Sequence, residues 1–524
     1  MTATSAHRER AEIRLAFRES VVHSVPWYPV VLAVAFVLNL FLESGISPFA
    51  VLRSLTVAVG FAALLTAVSA GMVRDRHRGA AIAGLIVLVM AGWRQPILLG
   101  VAAVLLLAVL VILPRTRWSM SLTWPAVTRI LNVVSLMLLV GIGVKVVQAG
   151  AVGTMAADIH QGRPLVAATS RVPPNAPPDI YMILLDGHPR GDTIGKVFGG
   201  DPSAFEAALA AQGFDIIERS YANYNFTALT LASVLDMRLL DEIDAVRLHL
   251  GTQDRDQPLL RNVINHSAAL ALLRERGYEI ATTASGFEGV TLRQADVYLD
   301  SGELNEFETT LIRATPIGWL LDRLGVDVLG DQLRSRVRHA FEFLHQLAVT
   351  PSSRPRFAFV HLTTPHAPLI FGTDGKPVAT TFDDPFAFPD RPAHERAAFI
   401  EAYRGGVEYL DGLVVDAIDD LLASAPPGRD PIIVLFSDHG PRTGLGGSAQ
   451  EQRTEQLANF LAVRAPGRAN LFEEDATLVN VLPTLFDAYL GTQLPRSPDR
   501  SHLTRGDHLF ELAEVPGPDA DPEP

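Results

Sequence analysis

The sequence predicts an α/β catalytic domain with a mostly parallel β-sheet flanked by helices, preceded by a region of five transmembrane helices. Strand-like apolar runs alternate with helical runs between residues 179 and 512, which is typical of a parallel sheet with helices on both faces. Two of the strand-like runs end in carboxylate residues. The first 150 residues contain five apolar runs without a charged residue.

Those five apolar runs predict a transmembrane domain over residues 1–150. They are Val25–Leu42, Ser54–Val73, Gly79–Trp93, Gln95–Pro114 and Ile130–Val144. About 20 apolar residues cross a bilayer, and basic residues beside the shorter runs can extend to the interfaces. Core helices of a soluble protein are the alternative, but five runs without a polar face fit that poorly. A cleaved signal peptide also fits poorly, because four more runs follow the first.

The distribution of arginine predicts that the N-terminus is cytoplasmic. Arginines are concentrated before the first run, between the second and third runs, and between the fourth and fifth runs. With five crossings these segments lie on one side, and positive charge marks the cytoplasmic side. The connections Glu43–Ala50 and the turn at Arg94, which carry little positive charge, then face outside. The chain after residue 150 is expected to be extracytoplasmic, anchored in the cytoplasmic membrane.

The composition separates the remaining parts of the chain and limits its partners. Residues 151–178 contain the run PPNAPP and predict an extended linker. Residues 513–524 are acidic and proline-rich, which predicts a disordered tail. A net charge of −13 argues against a nucleic-acid partner. The chain has no cysteine, which excludes disulfides, a thiol nucleophile and Cys-ligated zinc.

The elements of the catalytic domain, residues 179–512, follow from apolar periodicity and from glycines that end helices. Strands are predicted at Ile180–Leu185, Glu279–Thr283, Phe357–Leu362 and Ile432–Phe436. Helices are predicted at Ser203–Gln212, Ala268–Arg276, Val337–Val349, Phe399–Ala423 and Thr477–Leu490.

Metal-binding residue types follow two of these strands. Asp186 ends the run IYMILLD, and Asp438 and His439 end the run IIVLFSDHG. The carboxyl ends of parallel strands form the ligand site of an open α/β sheet. Carboxylates and imidazole suit one divalent ion such as Zn²⁺, Mn²⁺ or Mg²⁺. The segment Asn223–Ser233, which is rich in hydroxyl groups, lies between the two motifs and could supply a nucleophile.

Four segments in order resemble the sulfatase-like branch of the alkaline phosphatase superfamily. They are PPDIYMILLDGHPRGD, ANYNFTALTLASVLDM, FVHLTTPHAPLIF and VLFSDHGPRTG. Within this branch the chain is similar to membrane-anchored lipoteichoic acid synthase-type and phosphoethanolamine transferase-type enzymes, which also have five helices before an extracytoplasmic catalytic domain. The resemblance extends from Pro178 to about Thr504.

The resemblance implies a ligand set and a nucleophile. The implied metal ligands are Asp186, Thr227, Asp438 and His439. Thr227 is also the implied nucleophile, because a divalent cation on its oxygen favours the alkoxide. Thr230 and Ser233 are alternative nucleophiles. An ordinary helix N-cap is the alternative role of Thr227.

The resemblance also implies a proton donor and anion-binding residues. His366 follows a strand and would face the substrate phosphate. Arg190, Asn223 and Arg442 could bind phosphate oxygens or orient ligands, and each could equally be a solvated charge or a turn residue. His361 is expected to be structural, and His188 is expected to shape the pocket without binding the metal.

Two features found elsewhere in the superfamily are missing from the sequence. The second-metal motif Asp-x-x-x-His has no convincing counterpart, and no Cys or Ser segment suits formylglycine. With these two differences, the resemblance implies a metal-dependent phosphotransferase. Such an enzyme would move a phospholipid head-group phosphoryl unit to a glycan or lipid acceptor of the bacterial cell envelope. The alternatives are a phosphodiester or sulfate ester hydrolase, and a catalytically silent domain that binds the envelope.

Overall fold

The computed structural model describes residues 25–44, 48–94, 100, 123–148, 177–252, 257–378, 391–445, 447–505 and 508–516. The chain forms two compact units. The first consists of Met1–Ala156 together with Glu306–Asp327, and the second of Ala157–Asn305 together with Val328–Pro524. The second unit is thus interrupted in sequence by a segment that packs in the first. Nearly all of the predicted linker, residues 151–176, lies outside the described residues.

The helices and strands are numbered in chain order. The helices are α1 (Tyr28–Ser44), α2 (Pro48–Val73), α3 (Arg76–Ala91), α4 (Trp124–Gln148), α5 (Gly191–Phe198), α6 (Ser203–Ala211), α7 (Thr227–Asp236), α8 (Asp244–Arg247), α9 (Gln257–Asn265), α10 (Ala268–Glu275), α11 (Glu306–Arg313), α12 (Pro316–Arg323), α13 (Val328–Val349), α14 (Ala393–Ser424), α15 (Ala449–Leu457) and α16 (Val481–Leu490). The strands are β1 (Ile180–Leu185), β2 (Asp215–Ile216), β3 (Glu279–Thr283), β4 (Val297–Leu299), β5 (Arg356–Leu362), β6 (Ile432–Phe436), β7 (Leu461–Arg464), β8 (Ser501–Arg505) and β9 (His508–Val515).

The first unit contains the apolar helices. Among the described residues, two stretches are long and apolar enough to cross a membrane, Ala50–Val73 and Trp124–Val147. Helix α1 is apolar but shorter, and α3 has 16 residues. The prediction of five transmembrane helices is therefore not confirmed. Its fourth run, Gln95–Pro114, lies outside the described residues except for Gly100.

The second unit is built on a seven-stranded sheet in the order β2-β7-β6-β1-β5-β3-β4. Strands β6, β1, β5, β3 and β4 are parallel, which confirms the predicted α/β class. Strand β7 is antiparallel to β6, and β2 is antiparallel to β7. Leu185 of β1 pairs with Leu362 of β5, and Leu184 pairs with Phe436 of β6. The chain therefore leaves β1, β5 and β6 at one edge of the sheet.

Both faces of the central strand β1 are covered. Ile180, Met182 and Leu184 pack with α7, α9, α10 and α16 on one face. Tyr181 and Ile183 pack with α6, α13 and α14 on the other. A parallel strand covered on both faces is expected to be continuously apolar, which explains why IYMILL has no polar residue.

Most predicted elements are present, and the differences concern their ends. Strands β1, β3 and β6 have the predicted bounds, whereas α13 and α14 begin earlier than predicted. The late helix begins with a 3-10 turn, Leu478–Asn480, before α16. The antiparallel pair β8–β9 was not predicted, and β9 reaches Val515, three residues into the predicted tail. Residues 517–524 of that tail lie outside the described part of the chain.

Candidate active site

Asp186 lies immediately after the central strand β1 and is buried. Its Oδ2 accepts a hydrogen bond from Nε2 of His361 on β5, at 2.9 Å. The next residue, Gly187, has a left-handed φ of 68° and turns the chain away from the sheet. The Tyr403 hydroxyl donates to the Gly187 carbonyl at 2.7 Å. The Asp186 carboxylate is therefore positioned by His361 on the neighbouring strand and by the turn at Gly187, which Tyr403 stabilises.

Asp438 and His439 follow β6 and are fully buried. Oδ1 of Asp438 accepts from the Gly187 backbone N–H at 3.3 Å, and Oδ2 lies 3.2 Å from Nε2 of His439. The same Nε2 lies 3.8 Å from Oδ1 of Asp186. The other ring nitrogen of His439, Nδ1, donates to the Gly440 carbonyl at 2.7 Å, which leaves Nε2 as a lone-pair donor facing both carboxylates.

Gly440 is required by a close approach of two chain segments. A Cβ atom at this position would lie 2.2 Å from the carbonyl oxygen of Glu455 in α15. The turn after His439 therefore passes directly against that helix, which holds the imidazole in place.

Thr227 is the first residue of α7, and its side chain is buried beside this pair. Its Oγ1 lies 3.4 Å from Nε2 of His439, and the hydroxyl is close enough to the Asp438 carboxylate to favour the ionised form of that group. The N-cap of the helix is Phe226, so Thr227 is not the cap residue. Its hydroxyl is directed toward the carboxylates and the imidazole.

The two alternative hydroxyls of α7 have backbone partners. Thr230 donates a hydrogen bond shared between the carbonyl oxygens of Tyr224 and Asp438, 3.0 Å from each. Ser233 donates to the Arg238 carbonyl at 2.7 Å. Both side chains are completely buried. These contacts dock the helix onto its surroundings.

His366 and Arg442 bring further positive or basic groups to the cluster. Metal-binding atoms of Asp186, His366 and His439 all lie within 4.8 Å of one another. Nδ1 of His366 lies 2.7 Å from the Ala367 carbonyl, so Nε2 is the nitrogen available to a ligand. Nη1 of Arg442 lies 3.4 Å from Nε2 of His439, and its guanidinium lies over the Phe226 ring. We refer to Asp186, Thr227, His366, Asp438, His439 and Arg442 as the acid–imidazole cluster.

The electrostatics of this cluster fit a bound cation. Burial, together with the Asp186 carboxylate, raises the pKa of Asp438 to about 7. Burial, with the Arg442 charge, lowers the pKa of His439 to about 3, so its imidazole is neutral. For Asp186, burial opposes ionisation, but the nearby imidazoles, His366 first, outweigh it and lower the pKa of this carboxyl.

Two carboxylate oxygens provide a more direct test of that fit. Oδ1 of Asp186 and Oδ2 of Asp438 are buried and have no hydrogen-bond partner among the described residues. Buried carboxylate oxygens normally have a partner. Together with the neutral Nε2 of His439 they form an oxygen and nitrogen donor set that suits a divalent ion.

Arg190 and Asn223, the other two predicted substrate-binding residues, have different contacts. The Arg190 guanidinium binds Asp192 at 2.8 Å and the Ser220 carbonyl at 3.3 Å. Asn223 is fully buried, donates to the Arg500 carbonyl and accepts from the Val479 N–H, each at 2.9 Å. These bonds connect segments of the fold. Neither residue is part of the acid–imidazole cluster.

His361 is the residue whose position at the cluster was not expected. Its place within a strand predicts a structural role. It is the one imidazole in the buried strand RFAFVHL, and a polar residue near the carboxyl end of such a strand was the available signal. His188, by contrast, binds Asp411 at 2.8 Å and packs between Phe205 and Phe460.

Residues 265–492 match the family model described as Sulfatase. The matched range includes His361, His366, Asp438 and His439, and it begins after Asp186 and Thr227. A sequence search of curated proteins gives no match.

Several solved structures are similar to this chain at low sequence identity. The C-terminal periplasmic domain of EcEptC from Escherichia coli, in complex with Zn, is 14% identical, with 67% of this chain and 96% of that chain covered and a TM-score of 0.42. The integral membrane lipooligosaccharide phosphoethanolamine transferase A from Neisseria meningitidis is 13% identical, with 74% and 69% covered and a TM-score of 0.38. A phosphonate monoester hydrolase of Agrobacterium radiobacter is 15% identical, with 62% and 80% covered and a TM-score of 0.38.

Proposed function

We propose that the chain, whose residues 265–492 match the Sulfatase family model, is a membrane-anchored, metal-dependent phosphotransferase. It takes the head-group phosphoryl unit of a phospholipid and passes it through Thr227 to a hydroxyl of a glycan or lipid acceptor in the cell envelope. The observation that carries the proposal is the position of the Thr227 hydroxyl, which is buried at the start of α7 and lies 3.4 Å from Nε2 of His439.

Three features of the chain support Thr227 as the nucleophile. The residue opens α7, and the N-terminal end of a helix carries a partial positive charge that favours an oxyanion and an anionic phosphate. The Asp438 carboxylate can accept the hydroxyl proton, since burial already raises the pKa of that carboxyl to about 7. The Arg442 guanidinium supplies a fixed positive charge for the phosphate oxygens.

Asp186, Thr227, Asp438 and His439 would hold one divalent ion. When bound, that ion would lower the pKa of the threonine hydroxyl and stabilise charge on the phosphoryl oxygens. Nδ1 of His366 faces the Ala367 carbonyl, so its Nε2 is available to the substrate. It would give a proton to the departing alcohol.

The proposed reaction has two steps that balance. In the first, the Thr227 oxygen bonds to phosphorus, the bond from phosphorus to the glycerol oxygen breaks, and His366 protonates that oxygen. In the second, an acceptor hydroxyl bonds to phosphorus and gives its proton to His366, while the bond from phosphorus to the Thr227 oxygen breaks and that oxygen takes back the proton held by Asp438. The head-group alcohol stays on phosphorus throughout. If water is the acceptor, the same residues perform hydrolysis.

The test is a head-group-labelled phospholipid supplied to the full-length protein in vesicles that also contain the extracted envelope acceptor fraction. The wild-type protein should place the label on the acceptor, and intact mass should show the head-group phosphoryl unit on the peptide containing Thr227. Thr227→Ala should abolish both signals. Thr484→Ala, the same change at a hydroxyl that bonds only within its own helix at 2.8 Å, should leave both unchanged.

The free energy of unfolding of the Thr227→Ala variant distinguishes a role of Thr227 as nucleophile from a role in packing. Because Phe226 is the cap residue, Thr227→Ala should change the free energy of unfolding by less than about 1 kcal/mol. Transfer by Thr227→Ala at the wild-type rate would contradict the proposed nucleophile. Label released only as a water-soluble phosphate ester would contradict the transferase and identify a hydrolase.

A further inference from the structure

Helices α11 and α12 form a helical hairpin that packs in the first compact unit, whereas the residues before and after it in sequence belong to the second. They belong to the segment Glu306–Asp327, which is part of the first compact unit although it lies between β4 and α13 in sequence. We refer to this segment as the inserted hairpin. Gly318 in α12 allows the two helices to approach closely, since a Cβ there would lie 2.9 Å from the carbonyl oxygen of Ile312 in α11.

The inserted hairpin packs on the ends of several apolar helices. Phe307 is fully buried in a cluster with Val37 and Phe41 of α1 and Ala50 and Val51 of α2. Glu308, itself buried, forms an ion pair with Arg53 of α2. The packing fixes α11 at the C-terminal end of α1 and the N-terminal end of α2.

Two more contacts place the hairpin at the same side of the other helices. The Trp319 ring lies 5.7 Å from the ring of Trp93, which follows α3. Val146, near the end of α4, packs against the Phe307 cluster. The helix ends that meet here are those that the distribution of arginine predicts to be extracytoplasmic. The packing and the charge pattern therefore identify the same side.

The hairpin leaves a concentrated apolar surface uncovered within the described residues. Ile317, Trp319, Leu320, Leu324 and Val326 are exposed by 46%, 54%, 49%, 66% and 45%. Single exposed apolar residues are ordinary, but five within ten residues mark an interaction surface. Helix α2, against which the hairpin packs, also has exposed apolar side chains, and Leu52, next to Arg53, is 49% exposed.

From these contacts we infer that the inserted hairpin is a membrane-docking element that lies in the outer leaflet of the lipid bilayer, with Trp319, Leu320 and Leu324 among the acyl chains. The inference rests on the membrane anchoring in the proposed function. Trp rings favour the boundary between head groups and acyl chains, and an amphipathic helix with such a face lies in that plane. Asp322 and Arg323, both exposed on α12, supply charge at the level of the head groups.

The chemistry of the segment favours lipid over a protein partner. The exposed side chains belong to the same compact unit as the two apolar stretches of membrane-spanning length. No activity is needed to detect their insertion, so the test is independent of the nucleophile. The chain leaves the second unit at Asn305 and returns to it at Val328, so the hairpin would be a second place along the sequence, after α4, at which the chain meets the lipid.

The absence of native cysteine makes the test simple. Leu320→Cys and Leu324→Cys are introduced separately into the full-length protein in phosphatidylcholine–phosphatidylglycerol vesicles. Leu248→Cys is the matched control, because Leu248 is 82% exposed and belongs to the second unit. Each variant is treated with a charged maleimide, and an environment-sensitive fluorophore on the same site is tested for quenching by nitroxide lipids.

The expected result is that the Leu320→Cys and Leu324→Cys variants lose most of their labelling relative to the Leu248→Cys control and that their fluorophores are quenched by the lipid nitroxide. Equal labelling at all three sites would overturn the inference. Protection from maleimide without lipid quenching would also overturn it, in favour of a protein partner, and a cross-linked dimer through Leu324→Cys would identify that partner as a second copy of the chain. A loss of transferase activity with normal insertion would contradict the proposed function and leave this inference standing.

Discussion

The buried carboxylates of Asp186 and Asp438 share a site with one neutral imidazole. Oδ1 of Asp186 and Oδ2 of Asp438 have no partner among the described residues. Two carboxyls that approach in a buried environment disfavour each other's ionisation, and a cation removes that penalty. We therefore expect the charge of Asp438 to favour binding of the proposed ion more than the stability of the fold.

Asp438→Asn should separate these two roles. The amide keeps an oxygen for the Gly187 N–H, which now binds Asp438 at 3.3 Å, but it removes the charge. We expect the full-length wild type to carry one divalent ion per chain and the variant to carry none, with the metal-free thermal midpoint of the variant at or above that of the metal-free wild type. Metal analysis and thermal unfolding measure both.

Asp419→Asn is the control for this prediction. Asp419 lies on α14 and binds Gln212 at 2.7 Å, so this change should not alter the metal content. Two tightly held ions per wild-type chain would contradict the single site.

His361 is expected to act through Asp186. Its Nε2 holds the Asp186 carboxylate at 2.9 Å, and residues that orient a metal ligand typically change metal affinity by about 10–100-fold. His361→Ala should weaken metal binding by about that factor, and saturating metal should restore most of the rate. Titration with the metal measures this. A rate that does not recover at saturating metal would instead indicate direct contact with the substrate.

At this scale the sequence predicted which carboxylate and imidazole residues lie together at the edge of the sheet, and not the contacts of other polar side chains. Asp186, Asp438 and His439 could be predicted because they follow apolar strands, and parallel strands open at one edge. Asn223 and Arg190 could not be assigned, because their partners, Val479, Arg500, Asp192 and Ser220, depend on the tertiary arrangement. The same holds for His361, whose partner lies on a different strand.

Among the elements, α7 has the largest influence on the site. The helix is buried along its whole length, and its hydroxyl groups divide into two kinds. That of Thr227 points into the acid–imidazole cluster, and those of Thr230 and Ser233 bind backbone carbonyls. Thr230 binds the carbonyl of Asp438 itself, so it connects the helix to the loop that carries two predicted ligands.

Thr230→Val should therefore have the opposite signature to Thr227→Ala. Valine has nearly the same shape but leaves the carbonyls of Tyr224 and Asp438 without that donor. An unsatisfied buried group costs about 1–3 kcal/mol, so the free energy of unfolding should fall by about that amount. Folded, metal-loaded protein should still form the covalent adduct on Thr227.

Denaturant unfolding and trapping of the labelled peptide measure these two effects. A stable Thr230→Val protein that no longer forms an adduct would contradict the assignment and transfer the nucleophile to Thr230.

Strand and helix predictions succeeded where local pattern and environment agree. The fully buried parallel strands β1, β3 and β6 are continuous apolar or β-branched runs. The antiparallel pairs β2–β7 and β8–β9 were not predicted, because short strands such as Asp215–Ile216 have no period of their own. Helix α14 begins earlier than predicted because its first turns, AHERAA, are polar and give no apolar signal.

At the scale of the whole molecule, the two compact units do not correspond to two stretches of sequence. The domain predicted for residues 179–512 is interrupted by the inserted hairpin, whose residue Phe307 is buried against α1 and α2. Contacts of this kind are distant in sequence and leave no local pattern. They could not be predicted from hydropathy alone.

A fragment of residues 177–524 should therefore have an apolar surface that the full chain covers. It would expose Phe307, whose partners Val37, Phe41, Ala50 and Val51 are then absent, and exposed patches of this type cause association. We expect the fragment to elute as oligomers or to require detergent, and the double change Phe307→Ser with Trp319→Ser to make it monomeric.

Leu248→Ser in the same fragment is the control, because it removes one exposed apolar side chain outside the hairpin and should leave the association unchanged. Size-exclusion chromatography with light scattering measures these states. A monomeric unmodified fragment would contradict the prediction.

The inserted hairpin also has a consequence for the order of folding during synthesis. Domains generally fold as units as the chain is made from its N-terminus. Helices α1–α4 are translated first, but Phe307 and Glu308, which complete the packing at their ends, are translated only after strands β1–β4. A ribosome that has just finished Asn305 would carry the earlier helices with Phe41, Ala50 and Val51 still uncovered. The first unit is thus completed only after the first strands of the second have been translated.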